Sequence, residues 1–245
     1  MSILNKTSNP AFRNYIWNEN SPSNDKMTLN GVLLKTFFCL TLVGLSTWYV
    51  WDLVYQGIDV KWYTSIGLLA AIILSILTSY KHTWAKFTAP LYSFAKGFFL
   101  GGISAYAEIR FEGMPMRAVG VTIITFFVML ILYRFRIIKV TQQFRSVIVS
   151  ATITIMFIYI ITWILSFFGI SVPFIYGTSW FAIGFNIIAA CVASLALLLD
   201  FDFIERKINN APKYMEWVAT WGLLITLIWL YVEVLRLMKK LAIRF

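Results

Sequence analysis

The sequence predicts an all-α integral membrane protein, a bundle of seven transmembrane helices, and three features carry that expectation. Of the 245 residues, 60% are hydrophobic and only 13% charged, far from the balance of a water-soluble domain. Residues 146–199 contain no Asp, Glu, Lys or Arg, a stretch long enough for two crossings of about 20 residues each. Largely apolar segments bounded by charges or turn residues recur along the whole chain, at 31–52, 62–80, 88–107, 116–134, 147–168, 178–200 and 216–238.

The connections between these segments are short, the longest lying near 137–146 and 201–215, so no second soluble domain fits. The chain therefore divides into a polar N-terminal segment (1–30), a seven-helix domain (31–238) and a basic tail (239–245). The N-terminal segment carries SNP and SPSND turn signals, and no short apolar stretch with a small-residue cleavage site precedes the first span, so no cleaved signal peptide is expected. Trp48, Trp51, Trp62, Trp84, Trp163, Trp180, Trp217 and Trp221 fall mostly near span ends, the placement of an aromatic belt at the membrane interface. Cys39 and Cys191 both lie inside apolar spans and read as small buried hydrophobes, not as a disulfide or as ligands.

A net charge of +10 raises the question of nucleic acid, but the cations are scattered through loops, where they report membrane topology. With the N-terminus inside, the inner segments hold Lys6, Arg13, Lys26, Lys81, Lys86, Arg134, Arg136, Lys139, Arg145, Arg206, Lys207 and Lys213. The outer segments hold Lys61, Arg110 and Arg117. Seven crossings also place Arg236, Lys239, Lys240 and Arg244 outside, against the positive-inside tendency, and a full crossing by the last helix is nevertheless the expectation.

Soluble-enzyme chemistry lacks its parts. His82 is the only histidine and sits in the loop YKHTW, so a histidine-based triad, a zinc site and a metalloprotease motif are all excluded. No phosphate-binding glycine loop occurs. Gly97, Gly101 and Gly102 in KGFFLGGIS lie mid-span, where small residues four apart let helices approach closely. No catalytic residue and no cofactor is expected.

What remains is a short list of ionisable residues within or beside spans: Lys96, Glu108, Arg110, Asp200, Asp202, Glu205 and Glu233. A charge at the bilayer centre costs about 2.5–3.5 kcal/mol even on lenient scales, so such groups face protein and find partners. Lys35 and Asp52, at the ends of the first helix, are expected to reach water by snorkelling, and Glu108 with Arg110 to pair at the outer rim. Lys96 lies about 12 Å into the third helix and calls for an interior carboxylate. Asp200 can supply one, since the sixth helix runs opposite to the third. Asp202 points roughly 160° away from Asp200, so only Asp200 is expected to face the bundle centre.

LLLDFDFIERKI, followed by YMEWVATWGLLITLIWLYVEVLRL, together with KGFFLGGISAYAE and SNPAF, resembles the bacterial branch of the Bax inhibitor/YccA family over nearly the whole chain. The resemblance implies seven helices with the last one central, no enzymatic activity, and a bacterial inner-membrane location with a cytoplasmic N-terminus. It also implies a pH-sensitive calcium leak in which acids on the sixth and seventh helices share a proton, or, in another member, modulation of a membrane-bound protease. Asp200 matches the family's sixth-helix aspartate and Trp217 a tryptophan opening the last helix. The acid implied a few residues further on is absent from TWGLLIT at 220–226, and Lys96 stands where an acid is common.

Glu233 is the one acid deep in the last helix, about 24 Å beyond Trp217 along a straight helix. It is expected to neighbour Asn186 on the sixth helix, or Glu108 and Arg110, and not to touch Asp200. The functional expectation is a calcium leak with Asp200 and Glu233 as ion-pathway and transient calcium-binding acids, because calcium takes oxygen ligands. The alternative is a non-conducting partner of another membrane protein. The lipid bilayer is the partner in either case, and nucleic acid in neither.

Overall fold

A chain this apolar becomes helical because hydrocarbon offers no partner for backbone polar groups, and a helix satisfies them locally. The computed structural model describes residues 26–170 and 172–244. It contains seven long helices: α1 Leu29–Tyr55, α2 Lys61–Tyr80, α3 Ala85–Arg110, α4 Met114–Arg134, α5 Gln142–Phe167, α6 Trp180–Lys207 and α7 Met215–Arg244. A 3₁₀ turn, His82–Trp84, precedes α3, and a one-turn helix, Pro173–Tyr176, lies between α5 and α6. The polar segment carrying Lys6, Arg13 and SNPAF falls outside the described residues, apart from its last few positions.

Six of the seven long helices are long and apolar enough to cross a membrane. The exception is α3, which has the length but carries Lys86, Lys96, Glu108, Arg110 and Pro90. Every expected span has a helix, and each helix overruns its apolar stretch at one end or both. Helix α6 continues from 200 to Lys207, α7 from 238 to Arg244, and α5 starts at Gln142, not 147. Uncharged length marks the apolar part of a helix, whereas its ends are set by caps. Thr141 caps α5 by accepting from Phe144 N–H at 3.2 Å, and Thr28 caps α1 by accepting from Gly31 N–H at 3.1 Å.

The chain divides into two compact units. The described part of the first comprises residues up to Glu112 together with Phe203–Ile225, so it holds α1, α2, α3, the last turn of α6 and the start of α7. Glycines set its packing. A Cβ on Gly101 would lie 2.7 Å from Val50 Cβ and 2.9 Å from Thr47 O, and one on Gly97 would lie 2.6 Å from Val43 O, so α3 meets α1 backbone to backbone. Gly102 gives the same room to Thr64 of α2, and Gly67 of α2 lies against Phe98. The close approach expected from KGFFLGGIS is therefore present.

The second unit comprises Gly113–Asp202 and the chain from Thr226. Its core joins Ile148 and Ile155 of α5 to Ala189, Val192, Ala196 and Leu199 of α6, with Trp229 of α7 packed against them. The α6 residues recur at spacings of three and four, one stripe of a helix. From α4, Phe126 and Tyr133 bring their rings to 5.5 and 6.1 Å from that of Phe201.

Large apolar side chains are exposed all along α1, α2, α4 and α5, among them Leu34, Phe37, Ile66, Ile124, Val147 and Phe157, which suits lipid as the solvent. Trp48, Trp62, Trp84, Trp163 and Trp180 are exposed as a belt requires, but Trp221 is completely buried and belongs to the core. Cys39 is buried, whereas Cys191 is exposed, contrary to expectation: the α6 stripe that packs against α5 leaves Cys191 on another face.

Candidate functional site

Among the described residues four carboxylates are buried: Asp200 (1% exposed), Asp202 (7%), Glu216 (1%) and Glu233 (0%). A buried carboxylate needs donors, and each of these draws them from different chemistry.

Asp200 Oδ2 accepts from the Thr226 hydroxyl of α7 at 2.5 Å. The resemblance implied an acid on the last helix as its partner, and the chain supplies a hydroxyl. Two residues on, Asp202 pairs with the Arg145 guanidinium from the first turn of α5, both side chains being nearly inaccessible. This corrects the expectation that only one of the two aspartates is interior. They do leave α6 in different directions, but both directions meet protein.

Glu233 on α7 is fully coordinated. Its Oε2 accepts from Tyr159 Oη at 2.8 Å and Asn186 Nδ2 at 3.1 Å, and its Oε1 from Trp229 Nε1 at 3.1 Å and Arg236 Nη1 at 3.3 Å. A carboxylate has about four lone-pair directions, and all four are in use. Asn186, named from the sequence as a neighbour of Glu233, is thus beside it. Its Oδ1 accepts in turn from Lys240 Nζ, which also donates to Ala182 O at 3.1 Å. Arg244 donates to Thr178 O at 2.8 Å and lies 3.9 Å from the centre of the Trp180 ring. Three of the four tail cations are therefore tied to acceptors within their own unit.

Thr226 and Glu233 are seven residues apart on α7, about 10 Å along the axis, which places the two acids at different depths. Among the described residues no group of three or more His, Cys, Asp or Glu side chains converges to hold a metal.

In the first unit, Glu216 is bound by the Lys35 ammonium and by Thr28, whose N–H and hydroxyl donate at 2.9 and 3.0 Å. Gly31 makes room, since a Cβ there would collide with the carboxylate. The chain before α1 is fastened beside it: Lys26 bridges Pro212, Met27 N–H donates to Ala211 O, and Asn209 N–H donates to Met27 O. Lys35 is thus an internal ion-pair partner and not merely a snorkelling residue. Asp52 is exposed and accepts from Gln56 at 2.7 Å. Lys96 is half-buried, with its ammonium 5.8 and 5.3 Å from the ring centres of Tyr92 and Phe99, so aromatic faces shelter it. It belongs to the first unit and Asp200 to the second. Glu108 is half-buried at the end of α3, and Arg110 and Glu205 are exposed.

A family model described as Bax inhibitor 1 like matches residues 9–243. The chain belongs to the Bax inhibitor 1 like family. No curated protein and no solved structure matches it. For a member of this family with several long apolar helices, an integral membrane protein is the consistent reading. Sequence reasoning missed Arg145, Glu216, Thr226 and Lys240. Arg145 carried a signal, because Thr141 is a good N-cap and puts Arg145 inside a helix instead of a loop.

Proposed function

We propose that this Bax inhibitor 1 like protein is a pH-sensitive cation leak, with calcium as the permeant ion and Asp200 as the titrating acid. The observation that carries the reading is the buried Asp200 carboxylate beside the Thr226 hydroxyl on the facing helix. Both offer oxygen, the ligand a hard cation prefers. A passing ion takes the carboxylate while the hydroxyl rotates to present a lone pair; protonation of Asp200 removes the charge and the ion with it. Glu233 is the second acid, at another depth, and accepts an ion only when Arg236 moves aside. The proposal takes seven crossings with α3 included and α7 central, the N-terminus in the cytoplasm, and the bacterial inner membrane as location. In its support, 83% of the apolar window of α7 is buried, against 61% or less for the other candidate spans. Neither an enzymatic activity nor a resident cofactor is part of the proposal.

The saturation of Glu233 favours a second reading, in which the chain conducts nothing and modulates another membrane protein such as a membrane-bound protease. Calcium entry into liposomes carrying the purified protein separates the two. Entry above that of empty liposomes, falling as pH is lowered, supports the leak; no entry at any pH supports the second reading.

A further inference from the structure

The connection between α4 and α5 reads YRFRIIKV at 133–140. Helix α4 closes there with Ile137 N–H donating to Leu132 O at 3.0 Å and Arg136 N–H to Tyr133 O at 2.9 Å, the paired bonds of a Schellman motif. That motif needs one residue in the left-handed region, normally glycine. Here it is Arg136, at φ 54°. A side chain in this conformation is strained relative to glycine, a cost that a role for the side chain would offset.

The surroundings give that role. Arg134, Phe135, Arg136, Ile137 and Lys139 are all exposed. None of the three cations forms an ion pair among the described residues. No Asp or Glu occurs between Glu112 and Asp200, and the three carboxylates of this unit, Asp200, Asp202 and Glu233, are buried in contacts of their own. Two large apolar side chains, Phe135 and Ile137, are 73% and 65% exposed between the cations. The loop joins two helices apolar enough to cross a membrane, so it lies at a membrane surface.

We propose that this loop docks anionic phospholipid headgroups. Arg134, Arg136 and Lys139 take phosphate oxygens, and Phe135 and Ile137 enter the boundary between headgroups and acyl chains. On this view Arg136 stands where glycine would relieve the backbone because its charge is used.

The test is native mass spectrometry of the purified full chain titrated with phosphatidylglycerol or phosphatidylcholine, run beside thermal melting in detergent. The unmutated protein is expected to retain phosphatidylglycerol in preference to phosphatidylcholine. Arg136→Gly should lose about five-fold in that retention, while its melting temperature stays the same or rises. Arg134→Gln with Lys139→Gln should lower retention further, and added salt should do likewise. Equal retention of the two lipids overturns the proposal. So does an Arg136→Gly protein that melts lower and binds phosphatidylglycerol as before, which would make the arginine structural. Displacement of the lipid by millimolar inorganic phosphate also overturns it, since the site would then read free phosphate.

Discussion

The Thr226 hydroxyl on α7 donates to Asp200 Oδ2 on α6 at 2.5 Å, within a core closed to solvent. Thr226→Val keeps the shape of the side chain and removes the donor, leaving a buried carboxylate one hydrogen bond short. Such a loss costs about 1–3 kcal/mol. Thr226→Ser restores the hydroxyl and should recover most of it. Melting of the three proteins in one detergent checks the order, and a valine variant as stable as the unmutated chain contradicts it.

Arg145 and Asp202 form a buried pair, for which the loss of one partner differs sharply from the loss of both. Asp202→Leu or Arg145→Met alone breaks the pair and should cost about 3–5 kcal/mol, whereas the same two substitutions together should be nearly neutral. Additive losses in a double-mutant cycle would show that the two are not coupled.

Gly31→Ala places a methyl group where the Glu216 carboxylate sits. The carboxylate must then leave Lys35 and Thr28, so the substitution should destabilise by about 1–3 kcal/mol. In a Glu216→Ala background the same methyl group meets no carboxylate, and Gly31→Ala should be close to neutral. An equal effect in both backgrounds, read from melting temperatures, would show that Gly31 does not make room for the Glu216 carboxylate.

How much of this was legible in the sequence follows from what each feature depends on. Apolar length depends on the chain alone, so all seven helices were readable, and the small residues at 97, 101 and 102 announced a close approach. The neighbourhood of Asn186 and Glu233 followed from depth along two antiparallel helices. Arg145, Glu216 and Lys35 escaped because charges near helix ends look like residues that reach water, and only packing decides that they do not. The facing argument for Asp200 and Asp202 was sound as helix geometry, but it assumed one buried side to α6 where there are two.

Arg236, Lys240 and Arg244 are tied to Glu233, Asn186 and Thr178, and an odd number of crossings places them outside, against the positive-inside tendency. Single cysteines at Ile3 and Ile243, in a background with Cys39 and Cys191 replaced, should label from opposite faces of the membrane. Labelling from one face would mean an even number of crossings.

If Asp200 sets the response to pH, calcium flux into liposomes measured across about pH 5 to 8 depends on its carboxyl group. Neutralising the acid imitates low pH, so Asp200→Asn should flatten the profile at the low-flux level that the unmutated protein reaches only in acid. The Arg145→Met, Asp202→Leu double variant, altered on another face of α6, should keep the unmutated profile. An Asp200→Asn protein whose flux still falls with acid in the unmutated manner would mean that another group sets the response.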